Sequence, residues 1–487
     1  MIKSKLKLSL LKLIYKNVKE NPSSVCLEKG PKKITYKNFW DSALNYSNYL
    51  LKNCKKKPPI VCIYEEKDFF DYIAIIGTLI SGGYFIPINR ATPLEKVFKI
   101  IKYSNANFFS ANNIDNKFLK QNNVNLINEK KIIFFDNNDI KIKNSKLAYI
   151  LFTSGTTGNP KGVMIKKENL DHYVSWLVKK IKINKSTNCS QIPSIGFDLS
   201  VADIYLSLCS GSKLIIPEKI DNIFPAKMIY KKQINHIVCT PSLIDYINSS
   251  NQLKKKYFQK VKSIFFCGEP LYEYQIKSIL KINNNIKIIN AYGPTETTCS
   301  MTYSSINKSN YKSLSDSTMT IGKPIPRMGI MFINSDFKKN KKEGEILISG
   351  PQLSIGYLKQ KKETNKRFIT FNKKKYFRTG DLGFKKNGNY YFRNRIDSQI
   401  KIKGYRVELN EINYHLRYYG FINAHTIFFK NKIISFVKIK KYNKINLKKF
   451  LKKKLEFYKI PSEIIFLKKF PLNKNGKIDN NSLKLYI

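Results

Sequence analysis

The sequence predicts an α/β protein that ends in a smaller α+β region, and three patterns carry that expectation. Over most of the chain, apolar strand-like runs alternate with segments of helical spacing, the signature of parallel sheets joined by crossover helices. After about Gly322 the text changes to short strands and turns, "EGEILISG" and "NGNYYFRNRID", which predict a smaller β-rich unit. The last ninety or so residues read as strand, helix, hairpin, helix and a final turn, a separate α+β domain. A chain of 487 residues has room for such a division, at roughly 100 to 200 residues per domain.

The first element is "MIKSKLKLSLLKLIYKNVKE". Lys12 interrupts its apolar run, and Leu10, Leu13, Ile14 and Val18 fall at helical spacing, so it predicts an amphipathic core helix rather than a leader. The most apolar stretch, Tyr72 to Ile88, is shorter than the ~20 residues of a membrane span and is broken by "SGG". "LAYILFT" predicts a buried strand, and Leu170, Tyr173, Val174, Leu177, Val178 and Ile181 follow as the inner face of a helix. "KLIIP", "NHIVCT", "VKSIFF" and "IKIIN" continue the parallel strands. In the last domain "ELNEINYHLRYYG" is a helix closed by Gly420, and "LKKFLKKKL" is a second one.

Composition bounds the function. The net charge of +54 suggests a nucleic acid or anionic membrane partner. However, the abundant residues are those written with A- and T-rich codons, and lysines recur from Lys3 to Lys484 instead of forming one stripe. The charge therefore reads as solvated surface, and neither nucleic-acid binding nor membrane insertion is expected. Eight cysteines without a C-x-x-C pair and four histidines without H-x-x-x-H spacing indicate no zinc site and no disulfide framework, which suits a reducing, cytoplasmic setting.

"LAYILFTSGTTGNPKGVMI" empties an apolar strand into hydroxyls, glycines and a lysine, a composition that suits a phosphate. It is no P-loop, because Lys161 follows Pro160 and the Gly-Lys pairs at Gly322 and Gly476 lack the required Ser or Thr. No two glycines stand two apart, so the dinucleotide fingerprint is absent as well. Further unusual sequences close the other strands, where parallel sheets form their ligand crevice: "GFDLS", "FFCGEP" and "NAYGPTETT". "YFRTGDLG", "NRIDSQIKIKGYRVEL" and "NKNGKID" follow in the later regions.

This ordered set resembles the adenylate-forming superfamily, specifically amino-acid adenylation enzymes, and most closely the D-alanine:D-alanyl carrier protein ligases. "LISGGYFIPINRATP" and "EGEILISGPQLSIGYL" extend the likeness over almost the whole chain. The resemblance implies a core domain at 1–396, with two doubly wound parallel-sheet subdomains and a small β-barrel-like unit, and a mobile α+β lid at 397–487. It also implies an enzyme, an AMP-forming ligase that joins an amino-acid carboxylate to ATP and then transfers the acyl group to a phosphopantetheinylated carrier protein.

Carried over residue by residue, the resemblance puts Thr153, Ser154, Gly155, Thr156, Thr157 and Gly158 on the polyphosphate. Asn290, Ala291, Tyr292, Gly293, Pro294 and Thr295 would surround adenine and phosphate, with Tyr292 stacking on the base. Glu296 would hold Mg²⁺, a hard cation that prefers carboxylate oxygen. Asp381 would accept from the ribose hydroxyls, and Phe392, Arg393, Asn394 and Arg395 would complete that side. Asn394 stands where the family has glycine, and asparagine tolerates a left-handed backbone better than other non-glycine residues. Lys477, presented by an Asn-Gly turn, would bridge the substrate carboxylate and ATP as the catalytic lysine, and Asp397 would be the hinge.

Asp198 bears on the substrate. A carboxylate inside a pocket is costly without a cation, so it predicts the α-ammonium of an amino acid; the alternative is a helix cap, since Ser200 follows. Leu199, Ala202, Val238, Phe265, Cys267, Ala291, Cys299 and Ser300 would line the side-chain pocket and are small or apolar, which implies a small to medium uncharged amino acid. Cys267 resembles the D-alanine ligases, whereas Cys299 and Ser300 depart from their valine-alanine pair. D-alanine is thus the expected substrate. A freestanding enzyme loading proline, L-alanine or another small amino acid for a natural product is the alternative, and a basic nucleic-acid-binding protein on a decayed enzyme scaffold is the alternative from another class.

Overall fold

The computed structural model describes residues 8–54, 57–112, 117–132, 144–153, 160–334, 336, 338–397, 399–402, 404–438, 444–471 and 478–487. The chain divides into two compact units. The first holds 1–90, 104–151 and 162–396; the second holds 91–103, 152–161 and 397–487.

Two sheets organise the first unit. One runs Asn125–Ile127, Phe108–Ser110, Ile60–Tyr64, Tyr84–Ile88, Leu147–Thr153 and Lys161–Lys166 from edge to edge. The other has nine strands, and its six central members, from Lys287–Tyr292 through Ser263–Phe266, His236–Cys239, Asn188–Ser190 and Lys213–Ile215 to Val25–Lys29, are parallel. Most of their buried residues are apolar, chiefly Ile, Leu, Phe and Cys, as strands buried on both faces require. In this sheet the chain leaves Asn188–Ser190 for the neighbour Lys213–Ile215 on one side and then returns to His236–Cys239 on the other. That reversal is a topological switch point, the crevice in which open α/β sheets bind ligands.

The helices follow the sequence spacing. Ser9–Glu20 buries Leu10, Leu11, Ile14 and Val18, each worth roughly 1.5 to 3 kcal/mol, while Leu13 is only half-buried, so the inner stripe is rotated slightly from the expected one. Phe69–Ile80, capped by Asp68 on Phe69 N at 2.7 Å, and the strand Tyr84–Ile88 account for the most apolar stretch. Among the described residues no helix is long and apolar enough to cross a membrane. Lys167–Ile181 buries Leu170, Tyr173, Val174 and Leu177.

The β-rich unit is a six-stranded antiparallel sheet around one long strand, Lys374–Lys386, which pairs with Glu343–Ser349, Phe368–Phe371 and Asn389–Arg395. In the second unit the hairpin Gln399–Ile402/Tyr405–Glu408 leads into the helix Leu409–Tyr419, ended by Gly420 at φ 125°. Asn423–Phe429 and Lys432–Lys438 form the expected hairpin, and Glu463–Phe466 joins it in parallel after the helix Lys444–Lys454. A core of Val407, Leu409, Ile412, Leu416, Leu447 and Leu451 lies between helices and sheet.

The second unit also contains a closed ring of four charges, three of them buried and Lys96 partly so. Lys459 Nζ lies 2.8 Å from both Glu411 and Glu456, and Lys96 Nζ reaches the other oxygens of the same two carboxylates at 3.0 and 2.8 Å. Burial alone would neutralise Glu456, but Lys459 and Lys96 hold its carboxyl well below the usual range.

Candidate functional site

The site of the first unit is built on the carboxyl ends of the nine-stranded sheet. Asp198 stands in the turn between Asn188–Ser190 and the helix Ser200–Ser210, at the switch point. That helix has Leu199, not Asp198, at its cap position. Asp198 Oδ2 accepts from Thr295 Oγ1 at 2.6 Å. The turn is anchored from the other sheet: buried Glu65 accepts from Ser194 Oγ and, at 3.0 Å, from Ile195 N. Gly196 lies so close to Asn89 that a Cβ there would sit 2.7 Å from its backbone nitrogen.

The strand Lys287–Tyr292 delivers the next group. Asn290 is buried, with its Nδ2 donating to Thr320 O at 2.8 Å, and Ala291 is buried in the strand. Gly293 then lets the chain fold back on itself, since a Cβ there would lie 2.7 Å from Ser300 Cα, and Met301 N bonds Tyr292 O at 2.8 Å. Pro294 opens the short 3₁₀ turn Thr295–Thr297, and Thr298 and Cys299 follow in left-handed conformation at φ 59° and 72°. Two such non-glycine residues in succession are strained, and Gln352 restrains them. Its Nε2 donates to Thr297 O at 3.1 Å and Ser300 O at 2.9 Å, while its backbone carbonyl accepts from Thr298 Oγ1 at 2.8 Å.

Glu296 is fully buried within this turn; its Oε1 accepts from Tyr357 OH at 2.7 Å, and Ser354 N bonds its backbone carbonyl at 2.8 Å. No group of three or more His, Cys, Asp or Glu that could hold a metal occurs among the described residues. The donor set thus offers a single hard carboxylate, which fits Mg²⁺ shared with substrate phosphates.

Asp381 lies in the long strand directly opposite Arg395, and this register produces their ion pair. Its other oxygen accepts from Tyr292 OH at 2.6 Å. Burial and then the Asp381 charge push the Tyr292 phenol well above its usual range, so the hydroxyl is a donor here. A carboxylate has about four lone-pair positions, so these partners leave Asp381 capacity for a ribose hydroxyl. Glu345, buried beneath, bonds Arg378 at 2.7 Å and Gly380 N at 3.2 Å and so fixes the turn before Asp381.

Side-chain bonds thus link Asp198 with Thr295, and Tyr292 with Asp381 and Arg395, and the short stretch Tyr292 to Glu296 joins the two groups. Phe392 is half-buried, its carbonyl accepting from Thr318. Arg393 pairs at the surface with Glu343 at 3.1 Å, apart from both groups. Asn394 is exposed in the extended strand Asn389–Arg395, so its place requires no left-handed tolerance, contrary to expectation. Cys267 donates to Cys299 O at 3.9 Å. In the second unit, Thr153 ends its strand with Oγ1 3.5 Å from Lys161 O, and Asp397 Oδ1 accepts from Gln399 N at 3.3 Å. Ser154, Gly155, Thr156, Thr157, Gly158 and Lys477 lie outside the described residues. Sequence reasoning did not single out Glu65, Glu345, Gln352 or Tyr357, which act through other residues. The one available signal was a polar residue at the end of an apolar strand, as in "VCIYEE".

Comparison with known proteins adds three findings. The family model described as AMP-binding enzyme matches residues 14–358. D-alanine–D-alanyl carrier protein ligases of Bacillus licheniformis and Bacillus cytotoxicus are 27% and 29% identical to the chain, each alignment covering 98% of this chain and 99% of the relative. Among solved structures, the Vibrio cholerae adenylation domain AlmE in complex with glycyl-adenosine-5'-phosphate superposes with a TM-score of 0.86 at 23% identity, over 99% of this chain and 98% of that one.

Proposed function

Because the chain belongs to the AMP-binding enzyme family, we propose that it activates a small amino acid with ATP and loads it onto a carrier protein. In the first step a carboxylate oxygen attacks the α-phosphorus and pyrophosphate leaves. In the second the phosphopantetheine thiol attacks the acyl carbon, forming a thioester as AMP leaves. The observation that carries the amino-acid reading is Asp198 at the switch point, oriented by Thr295. A carboxylate so placed suits an α-ammonium group and disfavours fatty or aryl acids.

D-alanine is the substrate assigned. The ligase names of the two Bacillus relatives and the presence of Cys267 support it. Asp381 would receive the ribose, with Arg395 and Tyr292 fixing its orientation. Glu296 would hold Mg²⁺, which supplies positive charge against the phosphates. Lys477 takes the charge that builds at the α-phosphate, the loop Thr153 to Gly158 cradles the polyphosphate, and Asp397 is the hinge between the two half-reactions. A reducing, cytoplasmic setting suits the eight free thiols.

The test is ATP–pyrophosphate exchange across both enantiomers of the small amino acids. The expected result is exchange dependent on D-alanine, and Lys477→Ala reduces it by at least about 10²-fold, the scale for losing one preorganised electrostatic partner. Exchange with another small amino acid would move the enzyme to natural-product loading, a reading favoured by Cys299 and Ser300. Near-normal exchange in the lysine variant would sink the assignment of Lys477.

A further inference from the structure

The turn that carries Thr295 and Glu296 is supported by a helix outside it. Asn169, His172 and Tyr173 stand at i, i+3 and i+4 on Lys167–Ile181 and so share one face. Asn169 is buried; its Oδ1 accepts from Lys166 N at 2.8 Å, and its Nδ2 donates to Pro351 O at 2.6 Å. His172 is half-buried, and its Nδ1 lies 3.2 Å from Oε1 of the following residue, Gln352. Tyr173 reaches the turn itself: its buried hydroxyl donates to Cys299 Sγ and accepts from Ser300 Oγ, both at 3.3 Å.

The segment 351–358 lies between this helix and the turn. The strand Lys161–Lys166 fixes its far end, with Ile355 N donating to Met164 O at 3.2 Å and Met164 N to Gly356 O at 3.0 Å. From that end Tyr357 and Ser354 hold Glu296. At the near end Gln352 Nε2 stands among the carbonyls of Thr297, Thr298 and Ser300, at 3.1, 3.4 and 2.9 Å. Only the amino end of the amide can serve three acceptors, so the oxygen end faces His172 and the imidazole donates from Nδ1. Gln352 is 0% exposed, so without that donor its oxygen would be left unpaired out of reach of water. The amide would then turn to find a donor, and the strained pair Thr298 and Cys299 would lose its restraint.

We infer that His172, acting through Gln352, is a positioning residue for substrate binding, which keeps the turn 295–300 in the conformation that presents Thr295 to Asp198 and Glu296 to the cation. This rests on the proposed roles of Asp198 and Glu296. The ribose side depends on a different support, the cross-strand pair of Asp381 and Arg395. Loss of the His172 bond therefore weakens the amino acid and Mg²⁺ together and leaves AMP binding nearly unchanged.

The experiment compares full-length wild type, His172→Phe, His172→Asn and Gln352→Leu in amino-acid-dependent pyrophosphate exchange, with inhibition by AMP as the control. His172→Phe should raise the amino-acid KM and the Mg²⁺ concentration for half-maximal exchange by about 10-fold each, the scale of one buried acceptor left unpaired. Gln352→Leu should raise both by about 10²-fold, because the turn loses its carbonyl partners as well. The AMP inhibition constant should move little in either variant. His172→Asn, whose amide nitrogen donates from nearly the place of Nδ1, should return both values close to those of wild type. Unchanged values in His172→Phe, or equal losses in the Phe and Asn variants, overturn the inference and leave the proposed function standing. Should circular dichroism find Gln352→Leu unfolded, the two His172 variants decide. A wild type inert to every amino acid overturns the proposed function, and this inference with it.

Discussion

Thr295 bears on the proposed ammonium site, because its hydroxyl donates to Asp198 at 2.6 Å. Thr295→Val keeps the shape and removes the donor; a hydrogen bond to a charged group contributes about 1.5 to 3 kcal/mol. The amino-acid KM should rise about 10- to 100-fold while the KM for ATP moves little, as steady-state exchange would measure. His236 sets a different property. Its Nδ1 is 2.6 Å from Ser263 Oγ, and burial pushes its pKa down to about 4. The unfolded chain takes up this proton near the ordinary value of about 6.5, so between those limits it binds more protons than the folded state, and stability falls as pH falls. From pH 7 to pH 5 the loss should be about 2 kcal/mol, and urea denaturation of His236→Asn should show that slope removed. Asp198 and Cys267 were legible in the sequence because each stands in an unusual motif after a strand, and Asp381 because it stands in such a motif within one. Tyr173 was legible only as one apolar position of a helix, and its hydroxyl acquired meaning once Cys299 and Ser300 were beside it.

At the scale of elements, alternation of apolar runs and helical spacing was enough to place the parallel strands, since burial on both faces leaves a continuous apolar text. The order of strands was not readable from it. Adjacency of Asn188–Ser190 with both Lys213–Ile215 and His236–Cys239 depends on long-range packing, and that order creates the crevice for Asp198. The cross-strand pair of Asp381 and Arg395 was equally hidden, because a bulge between Leu382 and Gly383 shifts the register. The charge ring lies wholly in the second unit and is open to a direct test. Lys459→Met leaves Glu411 and Glu456 with Lys96 alone, and breaking such a buried pairing costs about 3 to 5 kcal/mol. Chemical denaturation should register that loss, with little dependence on salt because the groups are shielded from solvent ions.

For the whole molecule, the sequence marked a division near residue 396, where "NRID" ends the β-rich text. In the structure, 397–487 falls in one compact unit with 91–103 and 152–161. No local signal could have announced this, because the helix Leu94–Ser104 reads like any other crossover. The net charge of +54 is likewise a property of the whole, and the ring shows some of its lysines committed to internal pairing.

The chemistry of Lys96 therefore limits how the protein can be taken apart. A fragment 397–487 would retain Glu411, Glu456 and Lys459 but lose the cation that serves the other oxygens of both carboxylates. Two acids would then share one lysine in an apolar surround, and the fragment should be less stable than the same segment within the intact chain by about 3 to 5 kcal/mol. Supplying residues 91–103 as a peptide should restore part of that stability in a thermal melt, and Lys96→Met in the peptide should abolish the rescue. The second unit is thus not a module that could be cut out at one point and moved: the charge balance of its ring is written in two distant places of the gene.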